Sequence, residues 1–575
     1  MYDLVIKSGT IVDGTRFPRY RADIAIRNGV IEKIGDIDAA LGREAIDATG
    51  LIVAPGHIDP HTHYDAQIHW DPYCSNSGEN GVTTVVTGNC GFGFAPCRPA
   101  DRERYMLMME NTEQVPLPRM KMALPWTWET FPEWLAHLKS LPKGVNLMMY
   151  VPVNPLTVYV MGIEAAKTRR PTQAEIDRMK RLIVEGMQAG ACGIALSFLG
   201  TANTHTDFDG SPMPADMMHR DDVIALASAL REVEAGTIQL LSQFAGQDDK
   251  ELAVDMHTAS GRPVILNIVL SLYGQPRAYA DQLDWLVEQN TLGHRVYGQT
   301  LAQRSWTEFD LTEFNLNDNV PEWREISQLK SLDDKIAKLK DSAFRDRLRT
   351  NYDPKLMAGS GPVDLQTLIH AGSVARLEPY IGRTVGDIAK AWDADPIDVF
   401  FDISVETGGA ATFRTPVFVG GDTDEAAEIV AAPYIVAGMS DGGAHTRFYI
   451  GGHWATELLT TLGRDKGVSL EDLHYRFAWQ TARVMGLSER GALLPGYAAD
   501  IIVYDFDKLD VSADRYTVRY DQPGNDWRRY IETAGYRWIV VNGQITFVDK
   551  QSTGALPGRL LGNGPKTKGQ ALAAE

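Results

Sequence analysis

The chain has 575 residues, 44% of them hydrophobic and 23% charged, which supplies ample apolar material for a large core and excludes a mostly disordered protein. Lys and Arg number 56 against 75 Asp and Glu, so the formal net charge is −19. This acidic balance argues against nucleic acid or an anionic membrane as the main partner, because both are polyanions. A small-molecule substrate is the expected partner.

The first residues show no targeting signal, because Asp3, Lys7 and Gly9 interrupt any apolar run and no positively charged segment precedes one. No uninterrupted run of about 18 apolar residues predicts a transmembrane helix. The four cysteines, at positions 74, 90, 97 and 192, do not form the pattern of a disulfide framework. Together these features predict a reduced, cytoplasmic protein.

The two ends of the chain carry matching hairpin patterns. Apolar runs flank Asn28-Gly29 near the start and Asn542-Gly543 near the end, and an Asn-Gly pair in this setting favours a type I′ turn. A lone hairpin is marginal in water. We therefore predict that residues 1–54 and 484–550 form one discontinuous β-sandwich; the alternative is two separate β appendages.

Between the ends, short apolar runs alternate with helix-like stretches, which is typical of a parallel sheet. Eight runs predict an α/β fold with a (β/α)8 barrel over residues 55–483, whose active site would lie at the carboxyl ends of its strands. These runs are 51–54, 82–87, 146–151, 193–197, 237–241, 263–269, 294–298 and 434–439.

Three stretches interrupt or follow this alternation. Residues around 98–143, which are rich in aromatic side chains, and around 300–360, which are rich in charge, are predicted to be insertions that form lids or pocket walls. Residues 551–575 are rich in Gly and Ala. We expect them to form an extended tail, either loose or packed on a neighbouring subunit of a possible homo-oligomer.

Candidate metal ligands stand at the ends of the apolar runs. His61 and His63 follow the first run, and residues i and i+2 of a strand point to the same side, so both imidazoles can face one divalent ion, most simply zinc. Cys90 ends the second run, where a thiolate could be a ligand. Asp441 follows the last run and could bind metal and take a proton from water. Taken singly, these residues are equally explained as loop histidines, a structural cysteine and a turn-capping aspartate.

Taken together, the ordered motifs resemble the amidohydrolase superfamily, and more closely its N-acyl-D-amino-acid deacylase (D-aminoacylase) branch. The matching pieces extend from residue 2 to about 505 and include LIVAPGHIDPHTHYDAQ, GVTTVVTGNCGFGFAP, MSDGGAH and RGALLPGYAADIIVYD. The resemblance implies a metal-dependent barrel with a terminal β-sandwich that hydrolyses an amide bond, typically in an N-acylated D-amino acid. It assigns His61, His63 and Cys90 to the metal and makes Asp441 the catalytic aspartate.

The chain departs from that branch at three barrel strands. The deacylases have two further metal histidines, at the ends of the fifth and sixth strands, but the runs 237–243 and 264–271 contain none. His205 and His219, after the fourth strand, are the nearest candidates to replace them. Asn154 and Thr157 stand where the branch has Gly-His and then Arg. The number of ions, one or two, stays open.

A carboxylate substrate would favour a guanidinium partner, and the candidate contacts to substrate are Arg447, His445, Arg304, Tyr64, Asn154, His205 and His219. Tyr64 is expected to wall an acyl pocket together with Trp126, Trp128 and Phe131. Three functions remain: hydrolysis of an N-acyl amino acid, action on another bond as a lactone or cyclic amide hydrolase or a decarboxylase, and a non-catalytic binding role. Loss of the expected histidines motivates the second.

Overall fold

The computed structural model describes residues 1–200, 205–242, 247–313, 315–354, 361–512 and 516–562. Its centre is a ring of parallel strands in two hydrogen-bonded sheets. We number the barrel strands one to eight in chain order, with the two pieces 146–149 and 151–152 together forming the third. They are His57–Asp59, Val82–Thr87, Asn146–Met149 with Val151–Pro152, Gly193–Ser197, Thr237–Leu241, Val264–Val269, Val296–Thr300 and Ile435–Ala437.

The barrel strands are short, nearly continuous apolar runs because both of their faces are buried. The ring closes between strands one and eight, where the backbone N–H of His63 donates to the carbonyl oxygen of Gly442 at 2.7 Å. The alternation of strands and helices in the sequence therefore predicts the barrel correctly.

Helices pack around this ring, and their ends follow ordinary capping rules. In Gln173–Ala189, Thr172 and Glu175 form a reciprocal capping box, and Gly190 ends the helix in the left-handed region. The described helices are Arg102–Glu113, Leu117–Ala123, Phe131–Ser140, Val153–Met161, Ile163–Thr168, Gln173–Ala189, Arg220–Ala227, Ala229–Val233, Gln247–Ser260, Ala280–Thr291, Pro321–Ser327, Leu332–Lys340, Ser342–Asn351, Val385–Trp392, Pro396–Glu406, Thr423–Ala431, Trp454–Leu458, Leu470–His474 and Thr481–Val484, with π-helical turns at Leu459–Asp465 and Tyr475–Gln480. None of them is long and apolar enough to cross a membrane.

The two ends of the chain share one nine-stranded sheet, as predicted. Its strands are Tyr2–Ile11, Tyr20–Arg27, Val30–Gly35, Gly42–Asp47, Ile52–Pro55, Ile501–Tyr504, Tyr536–Val541, Gln544–Val548 and Gln551–Ser552. Both Asn-Gly pairs have the positive φ angles of type I′ turns: 52° and 78° at Asn28-Gly29, and 45° and 80° at Asn542-Gly543. Two smaller ribbons, 510–511 with 533–534 and 517–522 with 526–530, complete this part.

One predicted barrel strand is wrong. The run 51–54 forms the strand Ile52–Pro55, which pairs with Tyr2–Ile11 and Ile501–Tyr504 and so joins the two halves of the terminal sheet. The first barrel strand is His57–Asp59, immediately after it. Only three residues long and starting with a histidine, this strand offers no apolar run that a sequence pattern could detect.

The two insertions have different relations to the barrel. The first folds into the helices Arg102–Glu113, Leu117–Ala123 and Phe131–Ser140, which pack on the main core. The chain between strands seven and eight forms a separate three-stranded sheet, Glu308–Phe309, Thr367–Ala371 and Ala411–Arg414. This sheet and the helices beside it surround their own apolar core, with Phe309, Trp323, Phe400 and Phe413 among its members.

Up to residue 562, the tail is not the expected loose or intersubunit arm, because part of it pairs with the barrel of its own chain. Leu147 of barrel strand three donates its N–H to the carbonyl of Arg559 at 2.9 Å, and its own carbonyl accepts from Leu561 at 2.7 Å. Residues 557–561 thus lie along the chain's own barrel. Residues 563–575 lie outside the described part.

Candidate metal centre

The ligands predicted from the strand ends lie together at the mouth of the barrel. His61 Nε2 is 3.5 Å from Cys90 Sγ and 3.4 Å from Asp441 Oδ1, and His63 Nε2 is 3.7 Å from the same Asp441 oxygen. Neighbouring donors around a tetrahedral ion are about 3.3–3.6 Å apart when metal–ligand bonds are about 2.0–2.3 Å. His61, His63 and Cys90 therefore form a buried group that could hold a metal ion.

The backbone at two of these positions adopts an uncommon conformation. Cys90 and Asp441 have φ angles of 56° and 50°, in the left-handed region that few non-glycine residues enter. Gly443 permits the close approach of strands one and eight, because its φ is 93° and an added Cβ would lie 2.6 Å from the carbonyl oxygen of His63. The local chain is thus built to turn Asp441 toward the two histidines.

Two amide side chains contact His61 Nδ1. The amide of Gln299 donates to the carbonyl of Gly438 at 2.8 Å, so its oxygen is the atom that lies 3.1 Å from His61 Nδ1. This oxygen favours a proton on Nδ1, whereas the Asn267 amide nitrogen, at 2.9 Å, does not; with the proton on Nδ1, the Nε2 lone pair faces Cys90 and Asp441. Such a second partner commonly orients a metal-binding imidazole.

Neutral amides stand on the fifth and sixth strands, where the sequence lacks the expected histidines. Gln239 accepts the backbone N–H of Cys90 at 2.7 Å and donates to the side-chain oxygen of Asn267 at 3.1 Å. Asn267 in turn donates to the Gln299 oxygen at 2.6 Å, and its nitrogen lies 2.9 Å from His61 Nδ1. These amides form a connected buried network that supports the ligands.

One ionisable residue at the mouth has no counterpart among the predicted site residues. The Glu113 carboxylate is 3.6 Å from both His63 Nε2 and His445 Nε2, and its side chain is only 3% exposed. It lies at the end of the helix Arg102–Glu113, where its carbonyl accepts the N–H of His445 at 2.7 Å. Its contact with His63 and His445 depends on docking of the insertion on the barrel, which no local sequence pattern reveals.

Burial shifts the pKa of several ionisable groups at the barrel mouth. It lowers the pKa of His61 to about 4 and that of His445 to about 3, so both imidazoles are neutral at neutral pH. It raises the pKa of Asp441 to about 7, with a smaller contribution from the Asp59 carboxylate. Burial, aided by the carboxylates of Asp441 and Asp65, also raises the pKa of Glu113.

The thiol of Cys90 is affected in the same direction, since burial and then the nearby carboxylates raise its pKa. The raised pKa values of Asp441, Glu113 and Cys90 arise from confining anions without a countercharge. A divalent cation would reverse them, because it stabilises carboxylate and thiolate together. The donor set, neutral imidazoles with sulfur and oxygen, fits zinc and similar borderline ions.

The two candidate arginines are engaged in ion pairs with other carboxylates. Arg447 contacts Glu313 at 3.0 Å and Asp526 at 3.1 Å. Arg304 contacts the buried Glu457 at 2.8 Å. Their partners come from distant parts of the sequence, which no local spacing could reveal.

The two candidate histidines after strand four, His205 and His219, lie in different surroundings. His219 caps the helix Arg220–Ala227, with a side chain that is 53% exposed and 3.3 Å from Asp221, away from the predicted ligands. His205 packs edge-on against Phe92, with ring centroids 5.0 Å apart. It is near enough to His63 and His445 to help lower the pKa of each.

The remaining candidates are buried in the barrel. Asn154 accepts the N–H of Ala215 at 2.9 Å, and an added Cβ on Gly91 would lie 3.4 Å from its amide nitrogen, so it lies beside the Cys90 turn. The neighbouring Thr157 hydroxyl donates to a carbonyl of its own helix.

Three members of the expected aromatic wall are buried in the main core. Tyr64 is fully buried with its hydroxyl 2.7 Å from Ser77, and Trp128 and Phe131 are buried in the same core. Trp126 is partly buried against that core. Large aromatic side chains contribute most when their whole surface leaves water, which explains why they fill the core here.

The profile of the amidohydrolase family matches residues 44–547. The chain belongs to the amidohydrolase family. Within it, the chain resembles D-aminoacylases: it is 26% identical to the D-aminoacylase of Alcaligenes xylosoxydans xylosoxydans, over 97% of this chain and 97% of that protein.

Solved structures show the same fold. A structure that addresses the binuclear metal center of D-aminoacylase covers 98% of this chain and all of its own, with a TM-score of 0.65 and 22% identity. An N-acyl-D-glutamate deacylase from Bordetella bronchiseptica, complexed with zinc and a phosphonate inhibitor, covers 97% of this chain and 99% of its own, with a TM-score of 0.65 and 23% identity. The predicted barrel with a terminal β-sandwich is confirmed.

Proposed function

We propose that this protein is a metal-dependent hydrolase that cleaves the amide bond of an N-acyl amino acid, with preference for the D configuration, or of a related amide. The observation that carries the proposal is the convergence of His61, His63, Cys90 and Asp441 at the barrel mouth. Full-length similarity to a D-aminoacylase supports the substrate class. Zinc in the related N-acyl-D-glutamate deacylase supports zinc as the ion.

His61, His63, Cys90 and Asp441 would hold the ion, which when bound lowers the pKa of water and polarises a carbonyl group. Asp441 accepts a proton from the attacking water and delivers it to the leaving nitrogen as the amide C–N bond breaks. The products are a carboxylate and an amine. Gln299 and Asn267 contact His61 Nδ1, and Gln239 holds the backbone at Cys90, so these amides support the ligands.

A second candidate is hydrolysis of a lactone or a cyclic amide, or a decarboxylation, at the same centre. The observation that favours it is the pairing of Arg447 and Arg304 with other carboxylates, because a free carboxylate substrate requires a cationic partner. A substrate panel separates the two: turnover of cyclic amides or lactones with none of N-acyl-D-amino acids would favour the second candidate.

Metal analysis tests the proposal. The protein is purified without a metal-affinity column, and metal per chain is measured for wild type, His61→Ala and, as a matched control, the exposed His219→Ala. We expect at least about one divalent ion per chain in wild type and control, less in His61→Ala, and hydrolysis of N-acyl-D-amino acids that tracks the ion. Absence of metal from wild type, with none taken up on incubation, would contradict the proposal.

A further inference from the structure

Two side chains at the barrel mouth are not used by the proposed centre. Glu113 reaches it from the first insertion, and His445 from the loop after strand eight. The carboxylate of Glu113 is 3.6 Å from the Nε2 atoms of both His63 and His445. It therefore lies between a ligand of the proposed ion and an imidazole that has no role in holding that ion.

We propose that Glu113 and His445 form a second cation position next to the first, with the Glu113 carboxylate placed between the two positions. The inference rests on the proposed metal centre and specifies its ligands further. It differs from the deacylase pattern because neither ligand comes from the fifth or sixth strand.

The orientation of His445 supports this position. The side-chain oxygen of Gln114 contacts His445 Nδ1 in a short hydrogen bond, and an amide oxygen can only accept, so Nδ1 carries the proton. His445 Nε2 is then left with a lone pair, and it faces Glu113. A second partner on the other ring nitrogen is typical of histidines that bind metals.

The backbone around this pair is also specialised. His445 and Gln114 have φ angles of 56° and 51°, in the left-handed region that is uncommon for residues other than glycine. The hydrogen bond from His445 N–H to the Glu113 carbonyl ties the two segments together. Such conformations persist where surrounding structure fixes them, and they concentrate at functional sites.

The donor atoms around Glu113 are of the types that bind a cation. Within salt-bridge distance, the described partners of the Glu113 carboxylate are the imidazoles of His63 and His445, each 3.6 Å away through Nε2. This spacing is near that of neighbouring donors around one ion. Imidazole and carboxylate ligands suit zinc, cobalt, manganese or iron.

Among the residues that the structure describes, the ends of strands five and six offer no comparable position. Gln239 and Asn267 are neutral, and they are already bonded to each other and to their neighbours. An ion bound there would have to break this network. The second position therefore lies toward the insertion, where titratable ligands are available.

Cobalt counting tests the proposal on the full-length protein. Chelator-stripped protein is titrated with Co²⁺, bound cobalt per chain is measured after removal of free ion, and the thiolate-to-cobalt absorption of Cys90 reports the first position alone. The variants are Glu113→Gln and His445→Asn. Glu103→Gln, at an exposed position of the same helix, and the exposed His219→Asn are the matched controls. Circular dichroism verifies that each variant is folded.

We expect about two cobalt ions per chain in wild type and controls, and about one in Glu113→Gln and His445→Asn with the thiolate absorption retained. One ion in wild type and the same one in both variants would overturn the second position while leaving the proposed function intact. Loss of the thiolate absorption in folded Glu113→Gln would also overturn it, because Glu113 would then belong to the first position. No ion in wild type would contradict the proposed function itself.

Discussion

The two halves of the barrel mouth have opposite chemistry. Strands five to seven contribute Gln239, Asn267 and Gln299, which are neutral and bonded to one another. Strands one, two and eight lead into His61, His63, Cys90 and Asp441, whose donor atoms converge. An amide can reproduce the hydrogen bonds of an imidazole, but it is a much poorer ligand for zinc-like ions. Support of the site and ligation of the metal can therefore be separated onto different strands.

The largest expected effect comes from the ionisable half. Asp441→Asn keeps the size and burial of the side chain but removes the group that takes and returns a proton, so turnover should fall by about 10²–10⁴-fold. The measurement is kcat on the substrate that the panel identifies, with the melting temperature as a check of folding. The exposed Asp346→Asn, whose side chain is 70% exposed, should retain wild-type turnover. An Asp441→Asn enzyme with wild-type kcat would remove Asp441 from the mechanism.

The amide half should respond differently, through affinity and stability. Asn267→Leu leaves the Gln239 amide without its acceptor and removes a neighbour of His61, so we expect a loss of about 1–3 kcal/mol in unfolding free energy. Because His61 is then less well oriented, metal affinity should fall by about 10–100-fold. Urea unfolding and metal titration measure the two losses.

The exposed Asn351→Leu serves as the control, with little change expected in either quantity. If Asn267→Leu altered kcat as strongly as Asp441→Asn does, the division between support and ligation would be mistaken.

The contact between strands one and eight can be tested at Gly443. Gly443→Ala introduces both a strained φ and a Cβ 2.6 Å from the His63 carbonyl oxygen, so we expect a loss of about 2–4 kcal/mol and weaker metal binding. Gly467→Ala provides the matched control, because its φ is also positive, at 74°, but an added Cβ meets nothing within 4 Å. Its cost should be only the conformational one, about 1–2 kcal/mol. Equal losses in the two variants, measured by urea unfolding, would show that the closure at His63 is not tight.

The parts of this molecule that the sequence predicts are those with local signals. Asn28-Gly29 and Asn542-Gly543 impose their turns directly, and the i, i+2 spacing of His61 and His63 directs both imidazoles to one side. Asp441 stands at a strand end that the apolar pattern marks. In each case the physical cause acts between residues that are close in sequence.

The parts that could not be predicted depend on packing between distant segments. Glu113 reaches His63 only because the first insertion docks on the barrel, and Arg447 pairs with Asp526, which belongs to the C-terminal part of the chain. His57–Asp59 is too short for a periodic signal, so the sequence pattern indicates the neighbouring run 51–54 in its place. Such errors arise where tertiary contacts, and not local propensity, decide the outcome.

The smallest expected effect concerns a carboxylate far from both halves, whose pKa moves in the opposite direction from that of Asp441. The hydrogen bond from Arg169 is the largest cause that lowers the pKa of Glu175, to about 2, and capping of Thr172 contributes. A carboxylate with a depressed pKa stabilises the fold above its unfolded pKa of about 4.3, and this stabilisation is lost as pH falls toward about 2. Because the pair is exposed, Glu175→Gln should cost only about 0.5 kcal/mol at pH 7.

Urea unfolding should show that this difference in unfolding free energy is constant above pH about 5 and shrinks below it. The control, Glu185→Gln on the same helix, should be indistinguishable from wild type throughout. A difference that grew on acidification would mean that Glu175 is held by burial, as Asp441 is, and not by its ion pair.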